Sequence, residues 1–176
     1  MPRVTRLWVQ SLSTPEYRRD RVAMRVVTGR SSIEIELPPL VRLTTVAVDG
    51  VERPGVAEQT TGRRLTVALA DPGSPREHTI ELWYRFQRNR SFDRSIELTL
   101  PTVVGVDWIE QVYWEAILPP DEYMMIQPQW LVSENRIEWK WWGWTETPRL
   151  STGDLEAWVG VGGQQPPSGQ YHRHLY

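Results

Sequence analysis

Tryptophan is the residue type whose concentration in this sequence most suggests chemistry. The segment from Trp139 to Trp144 holds four indoles, and Trp130 lies shortly before it. Alternation along a strand would place Trp139 and Trp141 on one face and Trp142 on the other. The candidate ligand-binding residues are therefore the five tryptophans of this region: Trp130, Trp139, Trp141, Trp142 and Trp144.

These indoles have three interpretations. Exposed flat rings could stack against sugar rings, or they could anchor a protein interface, where Trp is enriched. They could also fill a core, because Phe86 and Phe92 are the only phenylalanines in the chain and indole supplies comparable bulk. The sequence favours the core, and buried rings at Trp114, Trp139 and Trp141 would make their removal costly.

Acidic residues lie among these aromatics, as they do in glycoside hydrolases, which hold two carboxyl groups across a cleft. Glu110 and Glu115 are separated by an odd number of positions, so a regular strand would point them to opposite faces. The sequence therefore predicts no catalytic residue. The acidic residues of the region are Asp107, Glu110, Glu115, Asp121, Glu122, Glu138 and Glu146.

Other chemistries have less support. His172 and His174 could share a metal ion with a third ligand, but a frayed terminus explains the pair better, and we expect no metal or cofactor. The absence of Cys excludes disulfides and thiolate nucleophiles. No Gly-x-Ser-x-Gly elbow or phosphate-binding loop is present.

The charge composition bears on partners. The net charge is -2 at pH 7, which gives no electrostatic case for nucleic acid. The local cluster of Arg18, Arg19 and Arg21 is interpreted as a solvated turn. No apolar run approaches the length of a membrane span, so we expect no membrane insertion in this segment.

Strand patterns position these candidates. Apolar residues alternate with polar ones around Val4–Val9, Val22–Val26, Ile33–Leu37, Val46–Val48, Leu65–Leu69, Ile80–Phe86 and Ile96–Leu100. Asp49-Gly50 predicts a hairpin turn. Further strands are predicted at Val112–Leu118, Tyr123–Gln127 and Arg136–Trp142. A short helix is predicted near 152–159, because Ser151 to Asp154 has a helix-capping pattern.

The pattern predicts an all-β fold, an antiparallel β-sandwich of the Ig-like or jelly-roll-like kind. It would have about 9–10 strands and at most one short helix. Residues 1–160 form a single domain in this interpretation, and 161–176 a loop or linker tail. The alternative is a division near residue 101 into a seven-strand part and a Trp-rich part.

Three segments follow one another in an order that is familiar from other proteins. Val46 to Gly50, then Gly62 to Leu69, then His78 to Arg85 resemble the β-sandwich modules of large bacterial envelope proteins, in which a Val-Asp-Gly hairpin precedes a His-Thr strand. Val112 to Pro119 and Asp154 to Trp158 resemble parts of very long planctomycete-type proteins. The resemblance implies an extracytoplasmic segment of a longer, membrane-anchored protein, and it implies no reaction or ligand.

The sequence therefore predicts a non-catalytic structural or interaction module within a larger extracytoplasmic protein. Its partners would be other proteins or other domains of the same chain. The alternative is a carbohydrate-binding module that uses exposed tryptophans, and a more distant one is a glycan-active hydrolase.

Overall fold

The computed structural model describes most of the chain as strands. The described residues are 1–14, 16–56, 62–69, 73–86, 99–119, 131–141, 143–162 and 172–176. They contain twelve strands and one short helix. The predicted all-β, sandwich-like fold is confirmed.

The described strands are numbered β1 to β12 in chain order. Their bounds are Arg3–Ser13 (β1), Arg18–Thr28 (β2), Ser32–Glu36 (β3), Val41–Val48 (β4), Val51–Glu52 (β5), Arg64–Ala68 (β6), Arg76–Phe86 (β7), Thr102–Val103 (β8), Ile109–Leu118 (β9), Asn135–Lys140 (β10), Gly143–Pro148 (β11) and His172–Leu175 (β12).

Seven of these strands form the main sheet, in the order β12-β9-β1-β2-β7-β4-β5. Its neighbours pair antiparallel with one exception: β1 and β9 run parallel, with Val4 opposite Ile109 and Leu12 opposite Ile117. The antiparallel expectation therefore needs correction at this pair. A parallel pair requires a crossover connection, and here most of the chain lies between its two strands.

The second sheet has the order β6-β3-β8. Its inward positions alternate strictly, with Ile33 and Ile35 on β3 opposite Val67 and Leu65 on β6. These side chains join one buried cluster with the apolar face of the main sheet. That shared core makes the two sheets a sandwich, as period-two alternation indicates.

Helix α1, Thr152–Val159, forms where predicted and packs on part of the other face of the main sheet. Ser151 caps it, since its side chain accepts a hydrogen bond from the Asp154 backbone while Asp154 bonds back. The hydrogen bonds from Ser151 lower the pKa of Asp154. Leu155 and Val159 are fully buried against the sheet. No helix in the described ranges has the length and apolar character needed to cross a membrane.

The Asp49-Gly50 turn forms as predicted between β4 and β5. Asp49 has φ 51° and Gly50 has φ 77°, the left-handed pair that a two-residue hairpin requires. The Asp49 carboxylate accepts the Thr79 backbone N–H at 2.8 Å, which ties the turn to β7.

Two expectations are corrected by the strand pairing. Within 161–176, expected to be a tail, His172–Leu175 forms strand β12 against β9, and Leu175 and Tyr176 are buried. The arginine cluster is not a solvated turn but part of β2. Its Arg18 and Arg21 side chains are buried and paired with acids.

Other strand predictions have different outcomes. Residues 123–127 lie outside the described residues, as do 96–98, and Leu100 precedes the short β8. The strand predicted over 136–142 ends at Lys140. Beyond residue 101, β8 contributes to the second sheet and β9 to the main sheet.

Candidate functional site

Strands β10 and β11 form a hairpin that carries the predicted tryptophan segment. We call Asn135–Pro148 the aromatic hairpin. Its backbone pairs Trp139 with Trp144 and Lys140 with Gly143. Ile137 lies two positions before Trp139 and therefore on the same side of β10.

The open end of the aromatic hairpin is attached to the edge of the main sheet. The Glu134 N–H donates to the Leu175 carbonyl at 2.9 Å. The Asn135 side-chain carbonyl accepts the Leu175 N–H at 3.0 Å. Because Leu175 is fully buried on β12, these bonds fix the base of the hairpin to the core.

Among the described side chains of the aromatic hairpin, three large apolar ones are exposed. Ile137 is 64% exposed, Trp139 63% and Trp141 87%. The prediction that Trp139 and Trp141 are buried is therefore wrong. The hairpin that carries them is attached at the edge of the main sheet and not between the two sheets. Large exposed apolar groups in one element are the informative exception to burial.

Charged residues accompany these apolar groups. Arg136 lies 3.8 Å from Glu138 on β10, and Arg149 lies 3.6 Å from Glu134 at the base. All four side chains are at least one-third exposed. By the same alternation, Arg136 and Glu138 lie on the opposite side of β10 from Ile137 and Trp139, so one side of this strand is apolar and the other is charged.

The structure describes the other three candidate tryptophans incompletely. Trp130 and Trp142 lie outside the described residues. Trp144 is described through its backbone, which pairs with Trp139. The structure therefore brings together two of the five predicted side chains, Trp139 and Trp141, on one hairpin.

Other tryptophans fill the interior, as the core interpretation expected for part of the set. Trp114 is fully buried on β9, and its indole N–H donates to the Ser11 hydroxyl at 3.0 Å. Trp8 is also fully buried, and Trp83 is 6% exposed. Trp108, by contrast, is 64% exposed.

The acidic candidates do not gather as a facing pair within the described residues. Glu115 is fully buried, and it accepts hydrogen bonds from Arg173, Gln10 and Thr152. Glu110 is part-exposed and pairs with Arg3 at 3.2 Å. Their positions on the uninterrupted strand β9 put them on opposite faces, as predicted. Asp107 is exposed, Asp121 and Glu122 lie outside the described residues, and the side chain of Glu146 does too.

A buried ion-pair cluster beneath α1 was missed at the sequence level. The Arg21 guanidinium lies 2.8 Å from Glu81 and 2.5 Å from Glu156. Its carbon lies 5.1 Å from the centre of the Trp8 ring and 5.5 Å from that of Trp83. The alternation of apolar and polar residues predicts that Arg21 faces solvent. Arg21 is buried instead, because helix α1 packs above it.

A second buried polar cluster lies on the core face of β2. Arg18 donates to both Asp20 oxygens, at 2.8 and 2.6 Å. Burial raises the pKa of Asp20 despite the opposing hydrogen bond and charge of Arg18. Burial and the nearby Asp20 charge raise the pKa of Tyr84, whose hydroxyl has no hydrogen-bond partner within the described part of the chain.

Histidines lie in separate places. His78 is buried, with Nδ1 2.9 Å from the Asp49 carboxylate at the β4–β5 turn. His172 and His174 alternate along β12 in the main sheet. Within the described ranges, no three potential metal-ligating side chains of His, Asp or Glu come together.

Comparisons with known proteins give partial structural likenesses. No protein-family model matches the sequence, and no curated protein is similar to it. An M1 zinc metallopeptidase from Deinococcus radiodurans matches 50% of this chain with 18% identity and a TM-score of 0.42. Legionella pneumophila aminopeptidase A, in complex with aspartic acid, matches 66% with 8% identity and a TM-score of 0.45.

Yeast LTA4 hydrolase, in complex with bestatin, matches 77% of this chain with 12% identity and a TM-score of 0.41. The matched part is 21% of the Deinococcus protein, 16% of the Legionella protein and 24% of the yeast protein. This chain is thus similar to a minor portion of each of these proteins.

Proposed function

We propose that this chain is a non-catalytic interaction module of a larger extracytoplasmic protein, with the aromatic hairpin as its contact surface. The observation that carries the proposal is the exposure of Ile137, Trp139 and Trp141 on one anchored hairpin. The extracytoplasmic setting follows from the resemblance of its hairpin and strand motifs to envelope-protein modules.

The composition of the hairpin supports a protein partner. An aliphatic side chain, Ile137, is exposed on the same side of β10 as Trp139, whereas Arg136 and Glu138 lie on the opposite side of that strand. Large apolar and aromatic side chains that anchor in a partner are typical of protein interfaces. The partner would be another protein or another domain of the same chain.

The buried acids support a non-catalytic role. Asp20, Glu81, Glu115 and Glu156 are each paired with an arginine inside the fold. A carboxylate held this way is occupied inside the fold, and removing its arginine would leave an unpaired buried charge. These groups are thereby committed to structure.

Carbohydrate binding is the second candidate function. The observation that favours it is the exposure of two indoles, Trp139 and Trp141, separated by one residue. A sugar-binding surface needs such flat rings, and it needs no neighbouring aliphatic side chain.

A photo-crosslinking experiment separates the two candidates. The protein is produced in the cells in which it naturally occurs, with a benzophenone amino acid in place of Ile137. The crosslinked products are identified by mass spectrometry. The same amino acid at Val51, which is also exposed but lies on β5 at the far end of the main sheet, is the matched control.

We expect a defined set of protein peptides crosslinked from position 137 and not from position 51. The products should disappear in the Trp139→Ser/Trp141→Ser variant. Equal products from both positions would refute the contact surface. A saturable shift of tryptophan emission with one soluble polysaccharide, lost in the same variant, would instead establish carbohydrate binding.

A further inference from the structure

Among the described residues, strand β4 has an open edge over most of its length. One side of β4 pairs with β7 from Val41 to Val48, whereas on the other side β5 pairs only with Ala47 and Val48. Over the described residues, no strand pairs with the outer side of 41–45. An open strand edge offers backbone donors and acceptors for pairing with another chain.

A groove follows this open edge. It has a volume of about 910 Å³ and is lined by 41–46, by the connection before β4 and by turns near residues 54 and 62. Leu37 forms part of its buried wall, and Leu40 stands 76% exposed at its rim. Its size is in the range of ligand-binding clefts.

Arginines dominate the charge of this groove. Its lining includes Arg42, Arg53, Arg63 and Arg85, whereas Glu52 is the single acidic residue among the described residues that line it. All four arginines are exposed. The groove therefore favours an anionic ligand.

The arginines also form a row across the sheet. Arg42 on β4 is directly opposite Arg85 on β7, and Arg85 is directly opposite Arg19 on β2. Like charges in directly opposed positions destabilise a sheet. An anionic group beside Arg42 would offset that repulsion. It would lie next to Arg42 on the side away from Arg85 and would carry the opposite charge.

The contacts that these arginines make within the fold leave their positive charge largely uncompensated. Arg63 donates to the Leu37 carbonyl and lies 3.4 Å from Glu36. Arg85 lies over the Tyr17 ring. In the described part of the chain, Arg42 and Arg53 have no acidic partner within ion-pair distance.

We propose that the open edge of β4 binds an extended acidic peptide as an added strand. The peptide backbone would pair with 41–45, and a Glu or Asp side chain would lie directly opposite Arg42. Backbone pairing supplies affinity in this mode of recognition, and alternate side chains supply specificity. This goes beyond the proposed function, because β4 and the aromatic hairpin lie at opposite ends of the main sheet.

The probe for this site is a fluorescein-labelled peptide of alternating Glu and Val. We expect saturable binding by fluorescence anisotropy and slowed amide hydrogen exchange at 41–45 in the complex. The Arg42→Gln/Arg85→Gln variant should bind about tenfold more weakly or worse, because charge-assisted contacts are lost. Arg30→Gln, at an exposed turn outside the groove, is the matched control and should bind as the parent does.

Two modified probes separate strand addition from general attraction of anions. A peptide with Gln in place of Glu tests the charge, and a peptide N-methylated at alternate residues keeps the charge but blocks backbone pairing. Both should bind much more weakly. Equal binding of either one overturns the proposal, as does an absence of binding by the parent peptide.

A third probe tests a different anionic polymer. Polygalacturonate carries carboxylates without a peptide backbone, so we expect it to bind more weakly than the Glu–Val peptide. Tighter binding of polygalacturonate would overturn the peptide assignment in favour of an acidic glycan. The Trp139→Ser/Trp141→Ser variant should bind the peptide normally, so the failure of either proposal is distinguishable from failure of the other.

Discussion

The Arg21 guanidinium on β2 lies 2.5 Å from the Glu156 carboxylate on α1, although 135 residues separate them in the sequence. Glu81 on β7 contacts the same guanidinium at 2.8 Å. All three side chains are buried. This arginine therefore connects the helix to two neighbouring strands of the main sheet.

Removing the arginine should cost more than removing one of its acids. Arg21→Met leaves two buried carboxylates facing each other, and we expect a loss of about 3–5 kcal/mol in the free energy of unfolding. Glu156→Gln leaves the Arg21–Glu81 pair in place, and we expect about 1–3 kcal/mol. Urea denaturation measures both, with exposed Arg30→Met as the control. Equal losses for the two variants would contradict the shared role of Arg21.

The tryptophans should divide into two energetic classes. Trp114→Ala removes a fully buried ring, so we expect a loss of about 3–5 kcal/mol in the free energy of unfolding. Trp139→Ala and Trp141→Ala remove exposed rings, and we expect changes within about 0.5 kcal/mol. Thermal and urea denaturation test this. A large loss at Trp141 would show that the ring is packed in solution.

Alternation in the sequence predicts the core face of the main sheet well. Val22, Met24 and Val26 are buried where the pattern places them, because a strand with one apolar face has one stable orientation. The cap of α1 is equally local, since Ser151 and Asp154 are three residues apart. These features depend on neighbours in the sequence.

The opposite face of the sheet could not be predicted in the same way. Arg21 and Ala23 alternate with the apolar residues and read as solvent-facing, yet both are buried. Their burial depends on α1, which arrives from a distant part of the chain. Strand β12 depends likewise on pairing with β9. Residues that are distant in the sequence determine whether these side chains are buried. The spacing of apolar residues along the chain therefore cannot predict their burial.

The exposure of the candidate site could not be predicted from the sequence either. The sequence identifies Trp139 and Trp141 as unusual, but whether they are buried depends on where the aromatic hairpin attaches. That attachment is made through Leu175 at the end of the chain. The open edge of β4 is also a property of sheet order, which no local pattern encodes.

The Asp49-Gly50 turn provides a backbone test. Gly50 has φ 77°, and a Cβ placed there would meet nothing within 4 Å. Gly50→Ala should therefore cost about 1 kcal/mol through backbone strain alone. Gly50→Asn should cost less, because Asn tolerates the left-handed region. Urea denaturation compares the two, and an Asn variant no better than Ala would contradict the conformational explanation.

Asp20 should make stability fall as pH rises above the acidic range. Burial raises its folded-state pKa above the usual value of 3.8, so the folded state favours the protonated form. The resulting contribution to stability is full below the unfolded-state pKa. It is lost as pH rises through the raised folded-state pKa.

The measurement is the free energy of unfolding of the parent and of Asp20→Asn from about pH 4 to neutral. Asn does not titrate, so the parent should lose stability relative to this variant as pH rises. Glu34→Gln, which removes an exposed carboxyl, is the matched control and should show no such relative trend. A relative gain by the parent over the same range would mean that the Arg18 ion pair outweighs burial and that the folded-state pKa of Asp20 is lowered.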